Sequence, residues 1–133
     1  SMLAAASSRA WPGHSVSASS SLALTYLEIN GWLLTAAGVT VLCDPVLDGA
    51  LDFGIPRLYE ARRRVLPDGL VASLPPIDAL LITQGLDDHA HDRTLAALAR
   101  HDPALPVIAP PSARPIVGRH FESVRYLASR NRR

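Results

Sequence analysis

The chain of 133 residues has no lysine and a single cysteine. Its 13 basic residues are all arginine, and 12 acidic residues leave a net charge of +1, so no general attraction to nucleic acid is expected. The lone cysteine, Cys43, excludes an intrachain disulfide and suits a reducing compartment; its apolar neighbours indicate a small buried hydrophobic residue. No apolar run approaches the about 18 residues of a membrane-spanning helix, so no transmembrane segment is predicted.

Acidic residues are also missing from the start of the chain. Residues 1–21 hold eight serines, five alanines and one arginine, and the first acid is Glu28. This composition is typical of an organelle transit segment or its remnant. A disordered tail behind a tag remnant, Ser1-Met2, explains it equally well. In either case we predict that residues 1–21 and 128–133 are tails and that the fold occupies residues 22–127.

What is present is an alternation of strand and helix patterns. Residues 22–43 contain three strand-forming runs separated by turn signals, which predicts an antiparallel meander. Residues 77–127 alternate buried strand runs with helical spacing, which predicts a parallel βαβαβ unit with right-handed crossovers. The predicted strands, turns and helical features are, in order, Leu22–Ile29, Asn30-Gly31, Trp32–Thr35, Ala37-Gly38, Val39–Cys43, Leu80–Ile82, a helix with Leu95 and Leu98, Pro106–Pro110, a helix from Ser112 (N-cap) through Pro115 to Gly118, and Phe121–Leu127.

Residues 46–76 form a long connection with four prolines and one predicted helical turn around Leu58–Val65. A connection of this length is more often a lid or an interaction surface than idle chain. The three consecutive arginines lack interleaved aromatic residues, so a solvated helix face explains them better than a nucleic-acid site. We predict a protein contact surface with Phe53, Leu58 and Tyr59 as anchors and Arg62, Arg63 and Arg64 at its rim.

The chemistry-bearing stretch follows the central strand, where Gly85 ends the apolar run and Asp87, Asp88, His89, His91 and Asp92 come within a few positions. The sequence Gln84-x-Leu86-x-Asp88-His89 resembles the His-x-His-x-Asp-His turn of the metallo-β-lactamase superfamily. The stretch from Tyr26 to Asp44-Pro45 resembles the meander that opens the same family, with Ile29 at the position of a family histidine. The details resemble a divergent branch of plants and algae, which implies a chloroplast stromal location; the alternative is cytoplasmic.

The resemblance implies an α/β fold, namely the first half of a four-layer αββα sandwich, and metal-dependent hydrolysis as the family's chemistry. It assigns Asp88 and His89 to a second metal position and places Asp44 in the outer shell of that site. The first position would require ligands at Gln84 and Leu86, and leucine cannot bind a metal. We therefore predict that the chain holds no dinuclear metal site.

Three interpretations of the Asp-rich turn stay open. Asp87, Asp88 and Asp92 could simply cap a helix; Asp88 and His89 could hold one Zn or Fe ion; or a competent hydrolytic centre could draw on further ligands. The remaining candidate ligands are His91, His101, His120 and Asp44, of which His91 and His101 are expected to be exposed helix residues.

The preferred function is a degenerate, non-hydrolytic domain without a cofactor, acting as a structural or interaction subunit, and no catalytic residue is assigned. The alternative is a metal-dependent hydrolase that uses Asp88 and His89 with ligands from another chain or from missing sequence. Because two helices can cover only one face of the sheet, Trp32, Leu34, Val41 and Ile82 are expected on a bare apolar face. We therefore predict a homodimer or docking into a larger assembly.

Overall fold

The computed structural model describes residues 22–53, 55, 57 and 59–128. The predicted tail of residues 1–21, most of the predicted tail 128–133, and Leu58 lie outside the described residues. The described chain forms an α/β fold around one six-stranded sheet of order β1-β2-β3-β4-β5-β6. Its elements are β1 (Ala23–Tyr26), β2 (Trp32–Ala36), β3 (Val39–Cys43), a 3-10 helix (Leu70–Ser73), β4 (Ala79–Leu81), α1 (Asp92–His101), β5 (Val107–Ala109), a 3-10 helix (Pro111–Ala113), α2 (Arg114–Val117) and β6 (Val124–Tyr126).

Strand pairing follows the predicted division of the chain. β1, β2 and β3 are antiparallel neighbours, whereas β3, β4, β5 and β6 pair in parallel. The meander and the βαβαβ unit are therefore confirmed, and β3 has the predicted bounds. Because β3 to β6 run in parallel, their carboxyl ends meet at one edge of the sheet.

The first turn differs from the predicted two-residue hairpin. Tyr26 and Trp32 form the last pair of β1 and β2, so the loop has five residues, 27–31, and the N–H of Leu27 donates to the carbonyl of Gly31 at 2.8 Å. The left-handed residues are Glu28 (φ 66°) and Ile29 (φ 55°), not Asn30 and Gly31. The longer loop lets Leu27 enter the core, where it is fully buried.

Two further local predictions were wrong. A 3-10 turn precedes α2 and contains Ser112, and neither helix has a side-chain cap, so Ser112 is not an N-cap; Pro115 does lie in the first turn. In the connection, no helix is found among the described residues around 58–65. Instead Leu51 pairs with Ala61 in an isolated antiparallel bridge, and the one helical turn lies later, at Leu70–Ser73.

The core lies between one face of the sheet and helices α1 and α2. Leu33, Leu42 and Leu80 come from adjacent strands in register, and Leu95 and Leu98 of α1 belong to the same cluster. Alternation along the strands sends their neighbours to the opposite side of the sheet. No described helix is long and apolar enough to span a membrane.

We call that opposite side the bare face. Its residues in register, from β1 to β5, are Leu24, Tyr26, Trp32, Leu34, Ala36, Val39, Val41, Cys43, Ala79, Leu81 and Ile108. Leu24 is 53% exposed, Tyr26 52% and Val39 50%. A large part of this apolar face is therefore exposed to solvent. Ile82 was predicted here but is buried on the core side at 1% exposure, because it has the same strand parity as Leu80.

Cys43 lies on the bare face and is half-buried, so it is less enclosed than predicted. Burial raises the pKa of its thiol to about 11, and the neighbouring Asp44 carboxylate adds to the rise. The thiol is therefore protonated and uncharged at neutral pH, and the bare face carries no charged side chain from β1 to β5.

Candidate metal corner

The candidate site lies at the carboxyl ends of β3 and β4. Asp44 directly follows β3, and Thr83 and His89 follow β4. The N–H of Asp44 donates to the carbonyl of Leu81 at 3.0 Å, so the parallel pairing continues past the end of β3 and brings the two loops together. Asp44 is only 3% exposed and has φ 44°, a left-handed conformation that aspartate tolerates better than most residues.

The Asp44 carboxylate is surrounded by donors. Its Oδ1 accepts the N–H of Thr83 at 2.8 Å, its Oδ2 lies 2.7 Å from His89 Nδ1, and the Thr83 hydroxyl also donates to Oδ2. Because an ionised carboxylate only accepts, the proton of a neutral His89 ring lies on Nδ1. The lone pair is then on Nε2, which is the tautomer that a carboxylate imposes on metal-binding histidines.

Asp88 and Asn30 complete the corner, which we define as Asp44, His89, Asp88 and Asn30. Asp88 Oδ2 lies 3.4 Å from His89 Nε2. The Asn30 amide Nδ2 donates to the backbone carbonyl of Asp88 at 3.0 Å and to Asp88 Oδ2 at 3.1 Å, and it lies 3.5 Å from His89 Nε2. Asp88 Oδ1 is buried and has no hydrogen-bond partner among the described residues.

Helix capping does not explain the acidic turn. The N-cap of α1 is His91 and has no side-chain cap hydrogen bond, so neither Asp87 nor Asp88 caps the helix. Asp92 does lie in the first turn, near the positive end of the helix dipole. Its Oδ1 is nevertheless 2.7 Å from His120 Nε2 and 3.0 Å from an Arg119 nitrogen. The hydrogen bond from His120, with the charge of Arg119, holds the pKa of Asp92 below its usual value.

The other candidate histidines lie outside the corner. His91, expected on the surface, is 3% exposed; its Nδ1 is 2.8 Å from the Thr94 hydroxyl and its Nε2 is 3.1 Å from the carbonyl of Ala50. It joins the start of α1 to the connection, which is why it is buried. His101 is exposed as predicted, and His120 contacts Asp92. Within the described residues, no group of three or more His, Cys, Asp or Glu could hold a metal.

Gln84 and Leu86 do not contribute to the corner. Both side chains are exposed, and Leu86 is 60% exposed. The described residues therefore do not form a complete metal site. Two potential metal ligands, Asp88 and His89, converge, and both already have hydrogen-bonding partners within the chain. The buried and unpaired Asp88 Oδ1 is the one feature that would suit an additional cation.

The connection is attached to the loop between β1 and β2 through Glu28 and is held together internally by Arg63. Glu28 accepts the backbone N–H groups of Arg64 at 2.7 Å and Leu66 at 2.8 Å. Arg63, predicted at an exposed rim, has a side chain only 2% exposed; it donates to the carbonyl of Val46 at 2.6 Å and pairs with Asp68. Arg63 therefore links the beginning of the connection to its later residues.

Of the predicted contact residues, Phe53 and Tyr59 are 49% and 51% exposed, with ring centroids 5.5 Å apart. Arg62 pairs with Glu60 at 2.5 Å, and Arg64 is exposed. Leu58 lies outside the described residues, so the contact surface stays a prediction.

A cavity of about 370 Å³ lies at the amino-terminal ends of β4 and β5, whereas the corner lies at the carboxyl ends of β3 and β4. Of the predicted ligands it includes His101 alone. It is lined by Val71, Leu74, Pro75, Pro76, Ile77, Leu98, His101, Asp102 and Leu105.

Sequence reasoning missed three residues of this region. Asn30 was interpreted only as a turn former, although its amide contacts a residue 58 positions away. Thr83 directly follows the buried strand, and that position at the carboxyl end of a parallel strand was the available signal. Thr94, whose hydroxyl accepts the N–H of Leu47 at 2.8 Å, carries no signal in the sequence because a threonine within a helix has many explanations.

Comparison with known proteins agrees with the geometry of the fold. The model of the family described as "Beta-lactamase superfamily domain" matches residues 23–132. No curated protein matches the chain significantly. A solved structure of a mutant of CmlA beta-hydroxylase is similar in fold, with a TM-score of 0.55 and 24% sequence identity over 86% of this chain. The chain spans only 22% of that protein. The family match and the shared fold together place the chain in the metallo-β-lactamase superfamily, of whose fold it forms a part.

Proposed function

We propose that this chain is a non-hydrolytic metallo-β-lactamase-like domain that acts as a structural or interaction subunit. The observation that carries the proposal is the pair Gln84 and Leu86. These residues stand where a first metal position would need two histidines, and both side chains are exposed. Without that position, two metal ions cannot be held side by side, as the two-metal mechanism of hydrolysis requires.

The interaction role is supported by the bare face. It is apolar and uncharged over five strands, and apolar surface is worth roughly 25 cal/mol per Å² when it is removed from water. We propose that a second copy of this chain covers it. An uncharged face meets no like-charge repulsion when it packs on its own copy, and two twisted sheets can stack about 10 Å apart in an isologous dimer.

A second candidate function is a metal-dependent hydrolase that acts through a single metal ion. Its support is the 3.4 Å separation of Asp88 Oδ2 and His89 Nε2. Two ligands of a tetrahedral zinc ion with bonds of about 2.1 Å lie roughly 3.4 Å apart. The Asp44 carboxylate behind His89 matches the outer shell of such a site. The missing ligands would have to come from another chain or from further sequence.

Metal analysis of the purified protein separates the two candidates. For the non-hydrolytic domain we expect less than one tenth of an equivalent of Zn, Fe or Mn, and no hydrolysis of chromogenic esters or phosphodiesters. Asp88→Ala and His89→Ala should leave these values unchanged. Stoichiometric metal that is lost in both variants, together with hydrolysis that is lost with it, would establish the hydrolase instead. The double variant Gln84→His and Leu86→His should gain metal only if the remaining ligands of the site are present.

A further inference from the structure

The Asn30 side chain lies beside the two potential metal ligands, within 3.5 Å of both. Its Nδ2 lies 3.1 Å from Asp88 Oδ2 and 3.5 Å from His89 Nε2, and those two atoms are 3.4 Å apart. The three atoms form a nearly equilateral triangle. The edges of a tetrahedral zinc site with bonds of about 2.0–2.1 Å are roughly 3.3–3.4 Å, so the amide nitrogen stands where a third ligand of such a site would stand.

The orientation of the amide follows from its partners. The Asp88 backbone carbonyl and the Asp88 carboxylate are both acceptors, at 3.0 and 3.1 Å from Nδ2. If the amide were rotated by half a turn, its oxygen would face two other oxygens with no hydrogen between them. The NH2 group must therefore point into the corner, and it is a donor, not a metal ligand.

In the neutral His89 ring with its proton on Nδ1, beside Asp44, Nε2 and Asp88 Oδ2 are both acceptors 3.4 Å apart, and a partner with positive charge stabilises them. A metal ion between them would supply that charge. In this chain the Asn30 amide donates to Asp88 Oδ2, and the same NH2 group lies 3.5 Å from His89 Nε2. We propose that the Asn30 carboxamide is an intramolecular plug, which satisfies the Asp88–His89 corner in place of a divalent cation.

The loop that carries Asn30 is anchored on both sides, so the plug is held in place before any ligand arrives. The Tyr26 hydroxyl donates to the carbonyl of Ile29 at 3.1 Å, and Glu28 is bound by the backbone of the connection. A β-carbon added to Gly31 would lie 3.1 Å from the Leu27 β-carbon, so the loop is closely packed there. The left-handed residues Glu28 and Ile29 direct Asn30 toward Asp88.

This inference rests on the proposed function, since a working metal centre would need the corner for its ion. The proposed function and the Asn30 plug are contradicted by different results. The proposed function fails if the wild-type chain carries stoichiometric metal and hydrolyses substrate. The plug fails if removing the Asn30 amide has no effect on stability, or if it does not open the corner to a cation, whatever the activity of the wild type.

The test compares urea unfolding of the full chain and its variants in EDTA and in ZnCl2. In EDTA, Asn30→Ala should lower the folding equilibrium constant about 5- to 30-fold, because the acceptors of Asp88 and His89 lose their donor. Zinc should raise the unfolding midpoint of Asn30→Ala and leave that of the wild type unchanged. Asn30→Asp keeps the size of the side chain but adds a carboxylate beside Asp88, so its loss in EDTA and its gain in zinc should both be larger.

Two control variants and two contrary results make the test decisive. Tyr26→Phe loosens the same loop without removing the amide and should show no zinc response. His101→Ala removes an exposed histidine outside the corner and should not alter any response. If zinc stabilised the wild type more than it stabilised Asn30→Ala, Asn30 would be a metal ligand, and the plug would be overturned. Equal stability of wild type and Asn30→Ala in EDTA would overturn it as well.

Discussion

His89 Nδ1 lies 2.7 Å from Asp44 Oδ2, a contact that joins residues 45 positions apart and links the loop after β4 to the end of β3. Asp44 is 3% exposed, so the contact is sheltered from water. The arrangement orients an imidazole as a metal site would require, although the described residues offer only Asp88 beside it. We expect this contact to stabilise the fold, which an unfolding measurement can test.

Asp44→Asn should destabilise the fold by about 1–3 kcal/mol, because an amide keeps the shape but turns a donor toward the N–H of Thr83 or toward His89. Urea unfolding monitored by tryptophan fluorescence gives the value. Asp78→Asn is the matched control: Asp78 also accepts one backbone N–H, from Thr40 at 2.7 Å, but it is exposed. The control should lose less than about 1 kcal/mol. Equal losses in the free energy of unfolding would mean that the Asp44–His89 contact stabilises the fold no more than the exposed Asp78–Thr40 contact does.

Gly85→Ala should be among the most damaging single substitutions in the chain. A β-carbon there would lie 2.3 Å from the carbonyl oxygen of Ser112, and backbone cannot give way as a side chain can. We expect a loss of about 3 kcal/mol or more in the free energy of unfolding. Gly69→Ala is the control, since its β-carbon meets nothing within 4 Å and only the left-handed φ of 74° is strained. A fully stable Gly85→Ala protein would contradict the close approach of these loops.

The attachment of the connection to Glu28 should depend on pH. Hydrogen bonds from the backbone of Leu66, and also of Arg64 and Val65, lower the pKa of the Glu28 carboxyl below its usual 4.5, against the opposing effect of desolvation. A group whose pKa is lower in the folded state stabilises the fold above its unfolded pKa, and the effect is lost as pH falls through the folded value. Amide protection of residues 64–66 should therefore be complete at neutral pH and fall in acid below about pH 4.5.

Hydrogen exchange corrected for intrinsic rates measures this protection across the acid range. Glu28→Gln should reduce protection of the same amides at neutral pH and remove its dependence on pH. Protection that is identical in wild type and variant at every pH would mean that the carboxylate does not hold the connection.

Self-association through the bare face should be visible by sedimentation at micromolar concentration. Leu24→Glu places a charge on the bare face at its edge strand β1, where Leu24 is 53% exposed, and should produce monomers. Val65→Glu is the control, because Val65 is 84% exposed on the connection, away from the bare face. A stable wild-type monomer of 14.2 kDa would reject the homodimer and would favour a different partner for this face.

Sequence alone determined the parts of this protein that depend on neighbours along the chain. The alternation of apolar residues in 22–43 specified the meander, and the change to helical spacing after Gly85 specified α1. The parallel pairing of the short strands β4, β5 and β6 followed from the same patterns. These features rest on periodicity and backbone propensity, which act over a few residues and can be read directly. Asp44, Asp88 and His89 could be placed at strand ends for the same reason.

Tertiary structure decided what those side chains contact. His91 is buried because the connection crosses the start of α1. Arg63 is buried because its guanidinium donates to the carbonyls of Val46 and Gly49. Asn30 reaches Asp88 only because β1 and β2 bring its loop beside the end of β4. In these cases burial and hydrogen-bond partners depend on residues 14 to 58 positions away, and no local pattern encodes them.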